Sequence, residues 1–308
     1  MRITSASAFE SSVSNLQRRQ QALTQSQEHL TSGKRVLKAS DDPAAAAQAE
    51  RALAAEKRSV AQLRALDASR SAMQLSESAL SNAGELVQQA RDLLVGAGNG
   101  SYTDAERLTM ANAIRGLRDD LLAVANRSDG AGRYLFGGQG ADGAPLVDGT
   151  GGVSYSASAG QLLAASGEAS PLSIDGRAAW LQAPDPANPG STLSLFDVMD
   201  RVMRELATPG RTAAQVAQTV SDGLGDFDAA ADNLSSWRAR SGDALNRIDR
   251  IGERLSQSKL DAQSERSNAE DLDMVQAISD FQSRQTGYDA ALKTYSIVQK
   301  MSLFDYLR

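Results

Sequence analysis

Cysteine is missing from the chain. That excludes disulfides, thiolate metal sites and a cysteine nucleophile, and it fits an exported protein as well as a cytosolic one. Aromatic residues are scarce at 5%, so the core has to be aliphatic and alanine-rich. Such a core suits long helices packed along their length better than a compact enzyme. The one histidine is His29, and a lone imidazole with no evident nucleophile or orienting acid argues against catalysis. There is no basic run, and the net charge is −6 over 308 residues. Nucleic acid and anionic membrane are therefore poor partners. No segment approaches the roughly 18 apolar residues of a membrane span. The opening MRITSASAFESSVSNLQ has no continuous apolar stretch, so it does not read as a cleaved hydrophobic leader.

What the chain does have is seven-residue periodicity. Phe9, Leu16, Leu23 and Leu30 form a narrow stripe with Val13, and Gly33 supplies a helix stop. A second block follows Pro43. Leu66, Met73, Leu80, Val87 and Leu94 recur on one line, with Ser69, Ser76, Ala83 and Ala90 on the other. Large residues facing small ones allow close helix packing. A third block runs from Asp104 to Arg127.

Helical order returns near Leu193. From Val216 it keeps a four-then-three spacing through Val220, Gly223, Phe227, Ala230, Leu234, Trp237, Ser241, Ala244, Ile248, Ile251 and Leu255. Residues 261–271 carry almost nothing apolar and predict a break. A last block holds Met274, Ile278, Phe281, Gln285, Tyr288, Leu292 and Tyr295, in a register that does not continue from Leu255. The chain finishes with Met301, Leu303 and Phe304 close to the terminus, and an apolar end of this kind expects a partner.

Between these arms the texture changes. Residues 137–204 hold glycine and proline with short β-like runs, GVSYSAS and PLSIDG. The expected fold is mainly α: an elongated antiparallel helical bundle or coiled coil built from both arms, with a small β-rich inserted outer domain. Three domains are expected. Residues 1–42 with 265–308 form an inner pair of terminal helices, disordered in the free monomer. Residues 43–136 with 205–264 form the long-helix bundle, and residues 137–204 the insertion.

Four short motifs invite chemistry, and each has a plainer reading. Asp41-Asp42-Pro43 could be an acid–base or metal pair, but no partner with ligand spacing accompanies it. Asp42 as N-cap with Pro43 at the first helical position explains the same residues. GGQGADGAP, 137–145, matches one calcium-binding nonapeptide, yet such sites need stacked copies, so a tight turn is expected. GAGNGS, 96–101, lacks the lysine of a phosphate loop. His29 sits off the Phe9–Leu30 line, which predicts a surface position. No catalytic, cofactor or metal site is expected.

Several longer stretches together resemble the flagellin family. They are the opening MRIT, LTSGKRVLKASDDPAAAAQA (30–49), AGNGSYTDAER (97–107), VANRSDGAGRYLFGG (124–138) and the closing QAISDFQSRQTGYDAALKTYSIVQKMSLFDYLR (276–308). GRYLFGG and the MSLF near the end favour the family's hook–filament junction members over its filament-forming ones. The likeness covers both helical arms and leaves 139–200 unmatched.

The resemblance implies a structural, non-enzymatic subunit of the bacterial flagellum, secreted unfolded through the flagellar type III apparatus with a dedicated export chaperone. It implies self-assembly into a ring between the first hook-associated protein and flagellin, with no cofactor and no membrane insertion. Assembly residues would be Phe9, Val13, Leu16, Leu23, Leu30, Met274, Ile278, Phe281, Tyr288, Leu292, Tyr295, Met301, Leu303 and Phe304. Gly33, Ser40, Asp41, Asp42 and Pro43 would form a joint between helical shells. The alternatives are a flagellin that forms the filament itself, and a surface adhesin that reads a ligand with the insertion.

Overall fold

A computed structural model describes residues 2–164 and 168–306, with side chains described over 9–164 and 168–297. The described residues are mainly α. Their helices are α1 (Arg2–Ser32), α2 (Pro43–Ala97), α3 (Asp104–Ala125), α4 (Gly176–Trp180), α5 (Leu195–Ala207), α6 (Ala213–Glu270) and α7 (Met274–Tyr306). Four strands form two antiparallel pairs. β1 (Leu146–Gly149) pairs with β2 (Gly152–Tyr155), and β3 (Ala183–Pro184) with β4 (Thr192–Leu193).

Two compact units divide the chain. One is residues 1–59 with 257–308, the other residues 60–256. Both boundaries fall inside the long helices α2 and α6, well away from the Gly33–Pro43 corner. Lys34, Lys38, Lys57, Lys259, Lys293 and Lys300 are the chain's lysines, so the second unit has none. Its ion pairs are all made by arginine, among them Arg70–Asp249, Arg91–Asp228 and Arg238–Glu77.

The second unit is organised by the heptad seams. Leu66, Met73, Leu80, Val87 and Leu94 of α2 are all buried, as are Ser69, Ser76, Ala83 and Ala90. From α6 come Phe227, Ala230, Leu234, Ala244, Ile248 and Ile251, joined in the same buried cluster. At Gly223 the backbone of α6 runs close against Leu94 of α2 and Val202 of α5. A Cβ there would lie 2.7 Å from Leu94 Cδ2 and 2.9 Å from Val202 Cγ2, so only glycine fits without movement.

The cluster does not stop at the helices. Leu135, Phe136, Leu146, Ile174, Ala179 and Trp180 belong to it. Phe136 meets Trp180 edge-on with centroids 5.1 Å apart. GVSYSAS supplies β2, but PLSIDG makes isolated bridges at Pro171 and Asp175 and then opens α4 at Gly176. More of residues 137–204 is loop than strand. GGQGADGAP is a turn in which Gly138 has φ +57, against the Ser158 carbonyl. No group of His, Cys, Asp or Glu among the described residues could hold a metal ion, and no described helix is long and apolar enough to cross a membrane.

One expectation is corrected here. Residues 261–270 stay helical, and the break is confined to Asp271–Asp273. The absence of large apolar residues was misleading because this turn of α6 uses small and charged ones. Ala262 and Ala269 are buried, as are Ala45, Ala49 and Ala52 of α2. Polar links bind the two helices within the first unit. Gln263 Nε2 and Arg266 Nη1 reach Glu56 at 2.7 and 2.8 Å, and Gln48 Nε2 reaches Glu265 at 3.4 Å.

Candidate assembly interface

The corner after α1 is closed by side chains that satisfy the backbone locally. Gly33 takes φ +70, the left-handed value that ends a helix, and its amide donates to the His29 carbonyl at 2.9 Å. Asp41 Oδ2 then accepts the amides of Leu37 and Lys38 at 3.1 and 2.9 Å. Asp42 Oδ1 accepts those of Ala44 and Ala45 at 3.1 and 3.0 Å, the orphan donors at the start of α2. Pro43 opens that helix, and Ser40 is exposed in the turn. These amides hold both carboxyls below the usual carboxylate range, led by that of Lys38 for Asp41 and by that of Ala45, then the Arg35 guanidinium, for Asp42.

The same corner is stitched to the end of α6. Glu270 offers its carbonyl to the amides of Arg35 and Val36 at 2.7 and 3.3 Å, and the Leu272 amide donates to Gly33 O at 3.0 Å. Arg35 bridges the two sides: Nη1 donates to Asp42 at 3.1 Å and Nη2 to the Ala269 carbonyl at 2.8 Å. Lys34 pairs with Glu270 at 3.0 Å. His29 is half-buried rather than on the open surface, its Nδ1 2.8 Å from the Lys34 carbonyl. Sequence reasoning missed Arg35, Glu270 and His29. The Arg35–Ala269 bond joins residues 234 apart, and no local pattern signals a partner at that distance.

Beyond the corner α1 packs on α7. Val13, Leu16, Leu23 and Leu30 are half-buried along α1. Phe9 is 50% exposed, but its ring sits 5.7 Å from that of Tyr295. On α7 the expected stripe separates into two lines. Phe281, Tyr288 and Tyr295 are half-buried, with Ala277 and Ala291. Met274, Ile278 and Leu292 remain exposed, joined by Val275 and Ile297. The four-then-three spacing counted both lines as one seam, whereas the fold covers one of them. Met301, Leu303 and Phe304 lie on the last turns of α7, and their side chains are outside the described residues.

Among the described side chains of α1 and α7, not one is fully buried. A helix pair gains stability from buried apolar area and not from helix propensity. This pair therefore has far less to hold it than α2 or α6 in the second unit. It presents an apolar line and very little chemistry.

Two family models match these regions. The bacterial flagellin N-terminal helical region matches residues 3–141, and the bacterial flagellin C-terminal helical region matches residues 224–307. Together they take in both helical arms and most of the chain. The chain belongs to the flagellin family. Among curated relatives of this flagellin-family chain is flagellar hook-associated protein 3 of Salmonella typhimurium, 29% identical over 236 residues, spanning 72% of this chain and 73% of the relative. The Escherichia coli protein of that name is 29% identical over 234 residues, spanning 71% and 72%.

Solved structures share the fold. A putative flagellar hook-associated protein from Vibrio parahaemolyticus superposes with a TM-score of 0.63 at 19% identity, over 75% of this chain and all of that one. Flagellar hook associated protein-3 of Legionella pneumophila also gives 0.63, at 16% identity, over 70% of this chain and 97% of that one.

A buried charge cluster of this flagellin-family chain lies elsewhere, in the second unit. Arg118 of α3 is buried and donates to Asp148 of β1 at 2.7 and 2.9 Å and to Asp200 of α5 at 3.0 Å. Its guanidinium sits 5.9 Å over the Phe196 ring. Asp148, and after it Asp200, keep that guanidinium firmly charged against the opposing effect of burial. The cluster fastens the β1–β2 hairpin to two helices. A cleft of about 610 Å³ beside it is lined by Arg115, Asp197 and Arg204, with no paired nucleophile and base that would make it a reactive centre.

Proposed function

We infer that this chain is a structural subunit of the bacterial flagellum that acts as an adaptor at the hook–filament junction and has no enzymatic role. Its relatives are named for hook association, and its chemistry-bearing clusters serve as internal fasteners. The observation that carries the reading is the α1–α7 pair. Both helices lack a fully buried residue among their described side chains, and α7 keeps Met274, Ile278 and Leu292 on an open line. A surface of that kind is completed by further copies or by neighbouring subunits.

In this reading the subunits form a ring through α1 and α7. The ring takes the first hook-associated protein on one side and flagellin on the other. Export runs through the flagellar type III apparatus with a dedicated chaperone, and the mature protein is extracellular. The Gly33–Pro43 corner is the joint between the terminal pair and the long helices.

Removal of residues 301–308 tests the reading. The truncated chain should keep the circular dichroism and thermal transition of the second unit, yet fail to support filament growth on hooks. Immunolabelling of the intact protein should mark a thin zone at the hook tip. Labelling along the whole filament, or normal swimming by the truncated strain, would contradict the assignment.

A further inference from the structure

The turn between α2 and α3 holds the one Asn–Gly step in the chain, Asn99–Gly100. Both residues are exposed. Glycine normally marks a place where the backbone needs a left-handed angle or where space is short. Neither applies at 100. Gly100 is absent from the positive-φ glycines, and a Cβ built on it meets nothing within 4 Å. The neighbouring Gly98 differs: a Cβ there would touch Val220 at 3.3 Å. The fold accounts for Gly98 and leaves Gly100 without a steric reason.

The surroundings of Asn99 bear on reactivity. Its Oδ1 accepts from the Ser101 amide at 3.1 Å and from the Ser101 hydroxyl at 3.0 Å. Two donors on one amide oxygen polarise the Cγ carbonyl and are placed where charge would grow if a nucleophile added to Cγ. Among the described residues nothing accepts from the Gly100 amide, so that nitrogen is not tied to an acceptor. The flanking backbone is held. Arg107 is buried and donates Nε to the Ala97 carbonyl at 3.3 Å and Nη2 to the Asn99 carbonyl at 3.4 Å, while the Tyr102 amide donates to Asn99 O at 3.2 Å.

We propose that Asn99–Gly100 is a site of spontaneous, non-enzymatic deamidation in the folded protein, with Ser101 as the group that polarises the amide. The Gly100 nitrogen gives up its proton to water or hydroxide and adds to Asn99 Cγ, forming an N–C bond. The Ser101 donors hold the resulting oxyanion. The side-chain nitrogen takes up a proton and leaves as ammonia, which closes a five-membered succinimide. Water then adds to either ring carbonyl and opens it to aspartate or to isoaspartate. The net change is one ammonia lost and one water gained, with no redox partner. The isoaspartyl product places an extra methylene in the main chain and a new carboxylate beside Arg107, so the α2–α3 corner must shift against its own clamp.

The tryptic peptide 92–107 contains Asn99 and no other side-chain amide, so a mass change in it is unambiguous. Full-length protein is incubated at physiological temperature and mildly alkaline pH, digested, and read by mass spectrometry, with methyl transfer by an isoaspartyl methyltransferase as the second readout. Peptide 92–107 should convert ahead of every other asparagine-containing peptide and should accept methyl groups. Gly100→Ala should keep the thermal transition, since its Cβ meets nothing, and slow conversion at least about tenfold, equivalent to about 1.4 kcal/mol of barrier. Ser101→Ala should slow it several-fold. Retention of intact Asn99 while other asparagines convert, or an unchanged rate in Gly100→Ala, would overturn the site. An unchanged or faster rate in Ser101→Ala would overturn the role given to Ser101.

Discussion

The amide of Leu272 donates to the carbonyl of Gly33 at 3.0 Å, which ties the start of the returning terminal segment to the residue that ends α1. The bond depends on the Gly33 angle of +70. Gly33→Ala keeps the space but not the ease of that angle, at a cost of roughly 1–2 kcal/mol. The expected result is a corner that opens more readily, read as loss of amide protection at Leu272 and Arg35. Combined Asp42→Ala and Pro43→Ala should have the same effect from the other side, with impaired assembly or swimming. Wild-type protection and motility in both variants would show that the corner is not a joint.

Acid should loosen the same corner. Asp41 and Asp42 have folded pKa values below the ordinary 3.8. A depressed carboxyl contributes stability that is complete above its unfolded pKa and disappears as pH falls through the folded one. The window therefore lies below about 3.8. Exchange at the Lys38 and Ala45 amides should quicken there, and the step at Lys38 should be missing in Asp41→Asn. A wild-type protein whose corner amides ignore acid would contradict this.

Gly223 and Leu94 should behave as a coupled pair. Gly223→Ala forces a methyl into Leu94 Cδ2 and Val202 Cγ2, an overpacking worth about 1–3 kcal/mol. Leu94→Ala alone leaves a cavity at about 2–5 kcal/mol. The double variant should lose less than the sum of the two, because the added methyl occupies part of the space that was removed. Strict additivity in thermal or denaturant unfolding would mean the two residues do not meet.

Amide exchange on the free protein should fall into two classes divided at the corner. Residues 9–32 and 274–297, without a buried side chain, should exchange orders of magnitude faster than α2 from Leu66 onward. Assembly onto hooks should slow exchange in both terminal segments. Protection over α1 in the isolated chain equal to that at Leu80 would defeat the claim that these helices settle on assembly.

Much of this architecture was legible in the sequence because heptads report burial directly. Every seam residue read on α2 from Leu66 to Leu94 is buried, and Asp42-Pro43 signalled the start of α2 by capping chemistry alone. Legibility failed where spacing says which residues share a stripe but not how much of that stripe finds a partner. Met274, Ile278 and Leu292 follow the same rule as Phe281 and Tyr288, yet α1 is too narrow to cover both lines. It failed again at 261–270, where alanine and ion pairs hold a helix that has no large apolar residue. The Arg35 and Arg118 networks were invisible because each joins elements distant in sequence.

The lysine distribution turns the division of the chain into something that can be cut. Lys57 and Lys259 flank a lysine-free run that all but coincides with the second unit, residues 60–256. A lysine-specific protease would release that unit as a single fragment, 58–259, while trimming the terminal segments into short peptides. Amine-reactive reagents would likewise leave residues 58–258 unlabelled and mark only the terminal segments. Loss of those labels on assembly would give a direct footprint of the contacts.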